Sequence, residues 1–421
     1  MNVLIRQATI VAASSPLHGQ IKDILIVNGI IHAIADNINH PYDEKIEQEN
    51  MHVSIGWMDV FANFCDPGFE YRETLETGAA AAAAGGFTDV LVVPNTNPVL
   101  HTKSQVEYIK QKSLLLPVSV HALGAVTKNT DGSELAEMYD MRQSGAVAFT
   151  DGTNAIQNGG LLLKALQYIK TFDGTILQIP DDKSIGGNGL MNEGIVSTQL
   201  GLPGKPAMAE ELMVARDIKL TRYADSRLHF TGVSSAKSIE YIKRAKEAGI
   251  KITCSVTPYH LFFCDEDLTT YDTNLKVNPP LRTKADREAL LNALCDGTID
   301  CIASHHIPQN YDSKVCEFEY AKNGMIGLES LFGSVWSMVN SKLSIADMVE
   351  KLTVSPRKIF GLPVPEFKEC SAACLTLFNP NKTYVFEESS IKSKSKNSVF
   401  VGKSLTGKVI GIINKNTLTL N

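Results

Sequence analysis

The hydrophobic pattern divides the chain into two kinds of region. Short apolar runs near the amino terminus predict strands at Val3–Val11, Asp23–Val27 and Ile30–Ile34. Asn28-Gly29 separates the last two, and this dipeptide favours a tight hairpin turn because both residues tolerate positive φ. From about residue 55 the apolar runs become almost wholly apolar and alternate with stretches of helical periodicity. The chain therefore changes there from a β pattern to an alternating β/α pattern.

Eight apolar runs alternate with helical stretches along the middle of the chain. The predicted strands are Trp57–Phe61, Phe87–Val93, Val118–Leu123, Ala146–Phe149, Thr175–Ile179, Arg227–Phe230, Lys251–Val256 and Asp300–Ala303. The helical stretches include Glu70–Ala84, Ser238–Ala248 and Asp286–Leu294. Wholly apolar strands are typical of a parallel sheet covered on both faces. Eight such units in about 250 residues predict an α/β fold of the (β/α)8 TIM-barrel type, which we assign to residues 55–365.

The pattern changes again towards the carboxyl terminus. Helical stretches at Leu328–Asn340 and Ile345–Leu352 precede predicted strands at Leu375–Phe378, Ser398–Val401 and Lys408–Ile413. Because both chain ends are strand-like, we expect one small β-domain built from residues 1–54 and 366–421. The segment Ser389–Asn397 is rich in serine and lysine, and we expect it to be a mobile loop.

Composition excludes several functional classes. The 421 residues are 44% hydrophobic and 20% charged, as in ordinary globular proteins. A net charge of -6 and a pI near 6.0 give no electrostatic reason to expect nucleic acid or an anionic membrane as partner. The eight cysteines have no metal-binding spacing, and no signal-like or membrane-spanning run is present. We therefore expect reduced thiols and a cytoplasmic location.

Ordered motifs along nearly the whole chain resemble those of dihydroorotases. The matching stretches include Asp66-Pro67-Gly68, Pro94-Asn95-Thr96-Asn97-Pro98, Gly201-Leu202-Pro203-Gly204, Val277-Asn278-Pro279-Pro280-Leu281-Arg282 and Asp296-Gly297-Thr298-Ile299-Asp300. The chain is thus similar to the cyclic amidohydrolase branch of the amidohydrolase superfamily, in particular to dihydroorotases found alone or tied to aspartate transcarbamoylase. The resemblance implies pyrimidine biosynthesis, with interconversion of dihydroorotate and N-carbamoyl-L-aspartate at a zinc centre.

The positions to which the resemblance assigns zinc ligands carry other residues. Phe61 and Asn63 stand where the first strand of the family has two histidines. Ile179 and Gly232 stand at the histidine positions after strands five and six. Phenylalanine, isoleucine and glycine side chains offer no lone pair, and an asparagine amide is a poor zinc ligand. We therefore expect no metal cofactor in this chain.

Two further substitutions affect catalysis and substrate binding. His305 stands at the position of the family's catalytic aspartate, which takes a proton from the metal-bound water. Cys65 stands at the position of the arginine that holds the substrate carboxylate. No catalytic residue is expected, and the sequence favours a protein without hydrolase activity.

Several residues of the implied pocket remain. Asp151, Asn95 and Asn278 match family positions, and with His305 and Cys65 they form the predicted remnant pocket. One alternative is a rewired single-metal site in which Asp151 and His305 bind the ion with help from His260 or His306. The other is that Asp151 and His305 are simply hydrogen-bonded and that Asn95 and Asn278 support local turns.

Three functional hypotheses follow. The first is a non-catalytic dihydroorotase homologue that acts as an assembly or regulatory partner of aspartate transcarbamoylase. The second is an active cyclic-amide hydrolase with a rewired metal site. The third is a structural homo-oligomer, a dimer or larger, similar to dihydropyrimidinase-like proteins that also lack metal ligands.

Overall fold

A computed structural model describes residues 1–421. The strands are β1 Asn2–Val11, β2 Ile21–Val27, β3 Ile30–Ala35, β4 Glu44–Ile46, β5 His52–Ile55, β6 Trp57–Ala62, β7 Phe87–Val92, β8 Ser119–Gly124, β9 Ala148–Phe149, β10 Ile176–Gln178, β11 Met191–Asn192, β12 Gly204–Lys205, β13 Leu228–Phe230, β14 Ile252–Val256, β15 Cys301–Ile302, β16 Leu375–Val385, β17 Ser404–Asn414 and β18 Thr417–Leu420. The helices are α1 Leu75–Ala84, α2 Lys103–Lys112, α3 Met138–Ser144, α4 Gly159–Lys170, α5 Lys183–Gly186, α6 Ile195–Leu200, α7 Met208–Ala224, α8 Ala236–Glu247, α9 Pro258–Phe262, α10 Lys284–Cys295, α11 Leu331–Val339, α12 Ile345–Leu352 and α13 Val354–Phe360.

Eight parallel strands form the barrel, in the order β6-β7-β8-β9-β10-β13-β14-β15. The first and last strands meet through a parallel bridge between Ala62 and His306, and the Asn63 N–H donates to the His306 carbonyl at 2.8 Å. Inward-facing side chains such as Met58, Leu91 and Leu177 fill the interior. The barrel is therefore a packed core, as the eight apolar runs predicted.

The second sheet unites the two chain ends. Its order is β18-β17-β16-β5-β1-β2-β3, with β4 paired to β1. Strand β16 pairs antiparallel with β5, and β17 pairs with β16, so the carboxyl-terminal strands extend a sheet that the amino-terminal strands begin. Val3, Ile24 and Leu377 are among the buried residues of its core. The predicted small β-domain from both ends is confirmed.

Some local predictions were wrong. The helix predicted at Glu70–Ala84 begins only at Leu75, because the Thr74 hydroxyl accepts the Thr77 N–H and Thr77 caps the Thr74 N–H in return. No strand forms at Ser398–Val401, since residues 399–402 form a turn. The segment Ser389–Asn397 was predicted to be a mobile loop, but residues 391–397 are anchored: Ser393 is fully buried, and its hydroxyl donates to Glu73.

An insertion between the fifth and sixth barrel strands was not predicted. It contains α5, β11, α6 and β12 and leads into α7. Its two strands are only two residues long each, which is too short for a periodic signal. The insertion brings Lys205 to the carboxyl end of the barrel, where its ammonium contacts Asp181 at 2.7 Å.

None of the helices combines the length and the apolar character needed to cross a membrane.

Candidate functional site at the barrel mouth

A cavity of about 460 Å³ opens at the carboxyl ends of the barrel strands. Side chains that follow these strands line it, including Asn63 after β6, Asn95 after β7 and Asn154 after β9. Its wall contains five asparagines, three threonines, one glutamine and one arginine. No aspartate, glutamate, histidine, cysteine or lysine side chain lines it. The cavity thus offers hydrogen bonds and one positive charge, but no group that exchanges protons near neutral pH.

An aromatic pair lies beneath this cavity. The Phe61 ring stacks on the His305 imidazole with the ring centroids 4.3 Å apart and the planes inclined by 26°. Both residues are fully buried. Gly232 makes room for the pair, since a Cβ atom there would lie 2.6 Å from His305 Cε1. The substitutions at these three positions therefore fit one another sterically.

His305 is held as a neutral ring. Its Nε2 lies 2.8 Å from the Thr231 hydroxyl, which in turn accepts a hydrogen bond from Ser255 at 2.9 Å. Ser255 also lies 3.0 Å from Nε2 of the buried His229. Burial lowers the pKa of His305 and of His229 to about 3. His305 Nδ1 has no hydrogen-bond partner. This chain of hydroxyl and imidazole groups stabilises the barrel interior without reaching the cavity.

The Asp151 carboxylate accepts hydrogen bonds from two residues that follow β8. One oxygen accepts the N–H groups of Val126 and Thr127 at 3.0 and 2.9 Å, and the other accepts the Thr127 hydroxyl at 2.5 Å. Burial raises the pKa of Asp151 to about 6, although these hydrogen bonds oppose the shift. The carboxylate is thus a buried structural acceptor that does not line the cavity.

The two positions after β6 have different surroundings. Asn63 lines the cavity, and its side-chain oxygen accepts the Cys65 N–H at 2.8 Å. Cys65 is buried below the wall, and burial raises the pKa of its thiol to about 12. A thiol that stays protonated and inaccessible is a poor nucleophile.

Asn95 and Asn278 both line the cavity and both support its walls. The Asn95 amide donates to the Asp151 carbonyl at 3.1 Å and accepts the Thr153 N–H at 2.9 Å. The Asn278 amide lies between Lys205 and Asp181, with contacts of 2.7 and 3.0 Å. Two of the five residues of the predicted remnant pocket, Asn95 and Asn278, thus line the cavity, together with Asn63 from the implied metal-ligand positions. The other three, Asp151, His305 and Cys65, do not line it.

The two additional histidines are committed to backbone and carboxylate partners. His260 Nδ1 lies 2.8 Å from the Thr257 hydroxyl, and its Nε2 lies 3.1 Å from the Pro279 carbonyl. His306 Nε2 lies 3.3 Å from Glu73, and its Nδ1 accepts the Gly327 N–H at 3.2 Å. No group of three or more His, Cys, Asp or Glu side chains is arranged to hold a metal ion.

Sequence reasoning missed Arg72, the only cation of the cavity wall. Its guanidinium carbon lies 4.4 Å above the Phe69 ring, and its Nε has no hydrogen-bond partner. Arg72 follows the motif Asp66-Pro67-Gly68 closely, so the sequence could have predicted that it lies near the barrel mouth. Its orientation was not, because it depends on the fold of residues 66–73.

Comparison with known proteins establishes the family. A family model described as "Dihydro-orotase-like" matches residues 52–238. A protein of Syntrophus aciditrophicus named dihydroorotase is 38% identical over 414 residues, covering 97% of both chains. One of Pelotomaculum thermopropionicum with the same name is 39% identical over 411 residues, covering 97% of this chain and 96% of its own. The chain belongs to the dihydroorotase family. Membership supports the family's function in pyrimidine biosynthesis.

Solved structures show the same fold at lower identity. The L-hydantoinase of Arthrobacter aurescens superposes with a TM-score of 0.85 at 22% identity, covering 100% of this chain and 96% of its own. The dihydropyrimidinase of Brevibacillus agri gives 0.81 at 20% identity, covering 100% and 95%. This likeness confirms the (β/α)8 barrel fold with its additional sheet.

The zinc centre implied for a dihydroorotase-family barrel does not fit the residues present. Phe61, Ile179 and Gly232 have no donor atoms. The two side chains with donor atoms at implied positions, Asp151 and His305, are engaged with Thr127 and Thr231. A catalytic zinc site needs about three protein ligands around one point, and this family member does not present them.

Proposed function

We propose that this dihydroorotase-family protein is non-catalytic and acts as an assembly or regulatory partner of aspartate transcarbamoylase. The proposed loss of catalysis rests on two observations. No set of side chains is arranged to hold a metal ion, and no side chain on the cavity wall can transfer a proton near neutral pH. Hydrolysis of a cyclic amide needs an activated water and a group that protonates the leaving nitrogen. The amides, hydroxyls and guanidinium of this wall supply neither.

The aromatic pair supports this proposal independently. Phe61 and His305 are stacked and fully buried below the cavity. For an ion to enter there, the Phe61 ring would have to leave a packed core, and burial of such a side chain stabilises the fold by about 1.5–3 kcal/mol.

The activity test uses the purified chain equilibrated with zinc, in both directions of the reaction. We expect no turnover of dihydroorotate or N-carbamoyl-L-aspartate above the background without protein. A metal-dependent rate that disappears on substitution Asp151→Ala would contradict the proposal and favour the rewired hydrolase.

The partner role rests on the resemblance to dihydroorotases tied to aspartate transcarbamoylase and on an intact fold without site chemistry. Co-expression with the aspartate transcarbamoylase of the same genome tests it. We expect a complex of constant stoichiometry in gel filtration with light scattering. Two separate peaks at micromolar concentration would contradict the partner role. A homo-oligomer alone in that experiment would favour the structural hypothesis.

A further inference from the structure

A second cleft, of about 430 Å³, lies at the opposite end of the barrel from the mouth. It is lined by the beginning of β8, with Ser119 and His121, and by Val147, which directly precedes β9. Helix α2 and the turn between β17 and β18 complete its walls. Because this end of a barrel does not carry the family chemistry, the cleft is independent of the proposed function at the mouth.

Positive charge dominates the rim of this cleft. Three cationic residues, Lys110, Arg142 and Lys415, line it, whereas no aspartate or glutamate does. Lys110 makes no ion pair and is exposed. The concentration of cations contrasts with the chain's net charge of -6, so the cleft is a local attractor for anions.

The cations of the rim are left without carboxylate partners. One Arg142 nitrogen donates to the carbonyls of Ala146 and Val147 at 3.1 and 2.9 Å, which fixes the guanidinium and leaves its other nitrogens free of protein partners. The Lys415 ammonium has only long contacts, at 3.3 and 3.4 Å, to backbone carbonyls. An incoming anion would therefore not have to break an existing ion pair at these two residues.

The nearby carboxylate of Asp89 already has partners of its own. It lies behind His121, with 2.9 Å between its Oδ1 and His121 Nε2. Its other oxygen accepts a hydrogen bond from Arg357 at 2.6 Å. Glu107 and Asp140 line an adjoining depression, which shares Lys110 and Leu114 with this cleft, and do not line the cleft itself.

The floor of the cleft is apolar. Seven of its fifteen lining residues are hydrophobic, among them Val106, Val120 and Leu362. Leu114 also lines it, with 64% of its surface exposed. A flat ring lying on this floor would remove apolar surface from water while an attached anion reached the rim.

We propose that this cleft binds a nucleoside monophosphate, with the phosphate held by Lys110, Arg142 and Lys415 and the base covering Leu114. The two features act together: the rim recognises a phosphate monoester through charge-assisted hydrogen bonds, and the floor selects a ligand that carries a planar ring. The size of the cleft is within the range of about 300–1,000 Å³ that small-molecule sites occupy.

Isothermal titration of the full chain with UMP and AMP tests this site. We expect both nucleotides to bind, with the nucleosides uridine and adenosine and inorganic phosphate at least about tenfold weaker, because each satisfies only half of the site. Failure of both nucleotides to bind at millimolar concentration would overturn the proposal. Equal affinity for inorganic phosphate would overturn the role of the floor.

A pair of variants locates the binding. Lys110→Ala/Lys415→Ala should lose about tenfold or more in nucleotide affinity, because each removes a charge-assisted contact. The matched control Lys164→Ala/Lys219→Ala removes two exposed lysines from α4 and α7 and should leave affinity unchanged. Unchanged unfolding temperatures would show that both variants are folded. Equal losses in the two variants, or none in the first, would overturn the assignment.

Discussion

At the scale of single residues, the barrel mouth is defined by substitutions that depend on one another. Phe61 brings an aromatic face to the centre of the barrel, His305 stacks on it, and Gly232 leaves the space that the imidazole needs. A side chain at residue 232 would collide with His305, since its Cβ atom would lie only 2.6 Å from His305 Cε1, well inside van der Waals contact. A single reversion to histidine at residue 61 or 232 would therefore not rebuild a metal site.

Substitution Phe61→Ala should destabilise the fold strongly. Removing a fully buried ring costs about 3–5 kcal/mol, because the surrounding core closes only partly over the cavity. Urea unfolding monitored by the fluorescence of buried Trp57 measures the change. The control Phe69→Ala alters a half-buried ring on the cavity wall and should cost less than about 2 kcal/mol. Equal effects would mean that the Phe61 ring is not packed as described.

The buried imidazole of His305 predicts a pH-dependent difference in stability. Its pKa is lowered to about 3 in the folded state, so between pH 7 and 5 only the unfolded state takes up its proton. This contribution to stability is present above the unfolded pKa of about 6.5 and is lost as the pH falls. Relative to His305→Gln, the wild type should lose about 2 kcal/mol of unfolding free energy over that interval.

The buried carboxyl groups Asp151 and Glu329 also contribute to the pH dependence of stability, because burial raises their pKa values to about 6 and 7. Their contributions are the same in wild type and variant and cancel in the difference. The control is His32→Gln, which makes the same change of residue type at an exposed position. A difference for His305→Gln that does not change with pH would show a ring open to protonation.

At the scale of elements, the sequence predicted the barrel strands, because hydrophobic periodicity alone identifies them. Most residues of the barrel strands are buried, so the strands are largely apolar and the runs are visible without any knowledge of contacts. The segment Ser389–Asn397 was predicted to be mobile because its serines and lysines are typical of a solvated loop. Its order comes from contacts with distant residues, among them Glu73 and the Arg72 carbonyl, and local pattern does not encode them.

At the barrel mouth, too, the sequence predicted some features and missed others. Alignment with family motifs identified Phe61, Ile179 and Gly232 as positions without ligands, because residue identity alone decides whether a lone pair exists. The sequence did not reveal that Asp151 and Cys65 lie beneath the cavity wall whereas Arg72 lines it. Which side of a wall a residue occupies depends on loop conformation, and Cys65 itself has a positive φ of 60°.

Substitution Glu73→Ala should release the segment 391–397. Burial alone would raise the pKa of Glu73, but hydrogen bonds from His306, Ser393 and Thr77 lower it and keep the carboxylate charged. Without this acceptor, the Ser393 hydroxyl and the Lys394 N–H lose their partner. We expect trypsin to cleave after Lys392, Lys394 or Lys396 at least about tenfold faster than in the wild type, because local opening becomes easier.

The exposed variant Glu76→Ala, also near the start of α1, is the control for this experiment and should be cleaved at the wild-type rate. Mass spectrometry of the early fragments identifies the sites. Cleavage of the wild type at these lysines as fast as in Glu73→Ala would contradict the anchored arrangement.

At the scale of the whole molecule, a family fold is combined with a mouth whose wall carries no aspartate, glutamate, histidine, cysteine or lysine side chain. The barrel and the sheet built from both chain ends are complete, and the relatives named dihydroorotase cover the chain at 38–39% identity. The two clefts at opposite ends differ in character: one is rich in amides, and the other has a cationic rim over an apolar floor. We propose that the first is a remnant substrate site and that the second binds a nucleoside monophosphate.

The proposed loss of catalysis depends above all on a barrel mouth that holds no catalytic metal. Anomalous diffraction at the zinc absorption edge, from crystals grown with zinc, is the decisive measurement. We expect a Phe61 ring stacked on His305 and no anomalous peak beside Asn63, Asp151 or His305. A peak about 2.0–2.2 Å from oxygen or nitrogen atoms of Asp151 and His305, with the Phe61 ring displaced, would contradict the proposal.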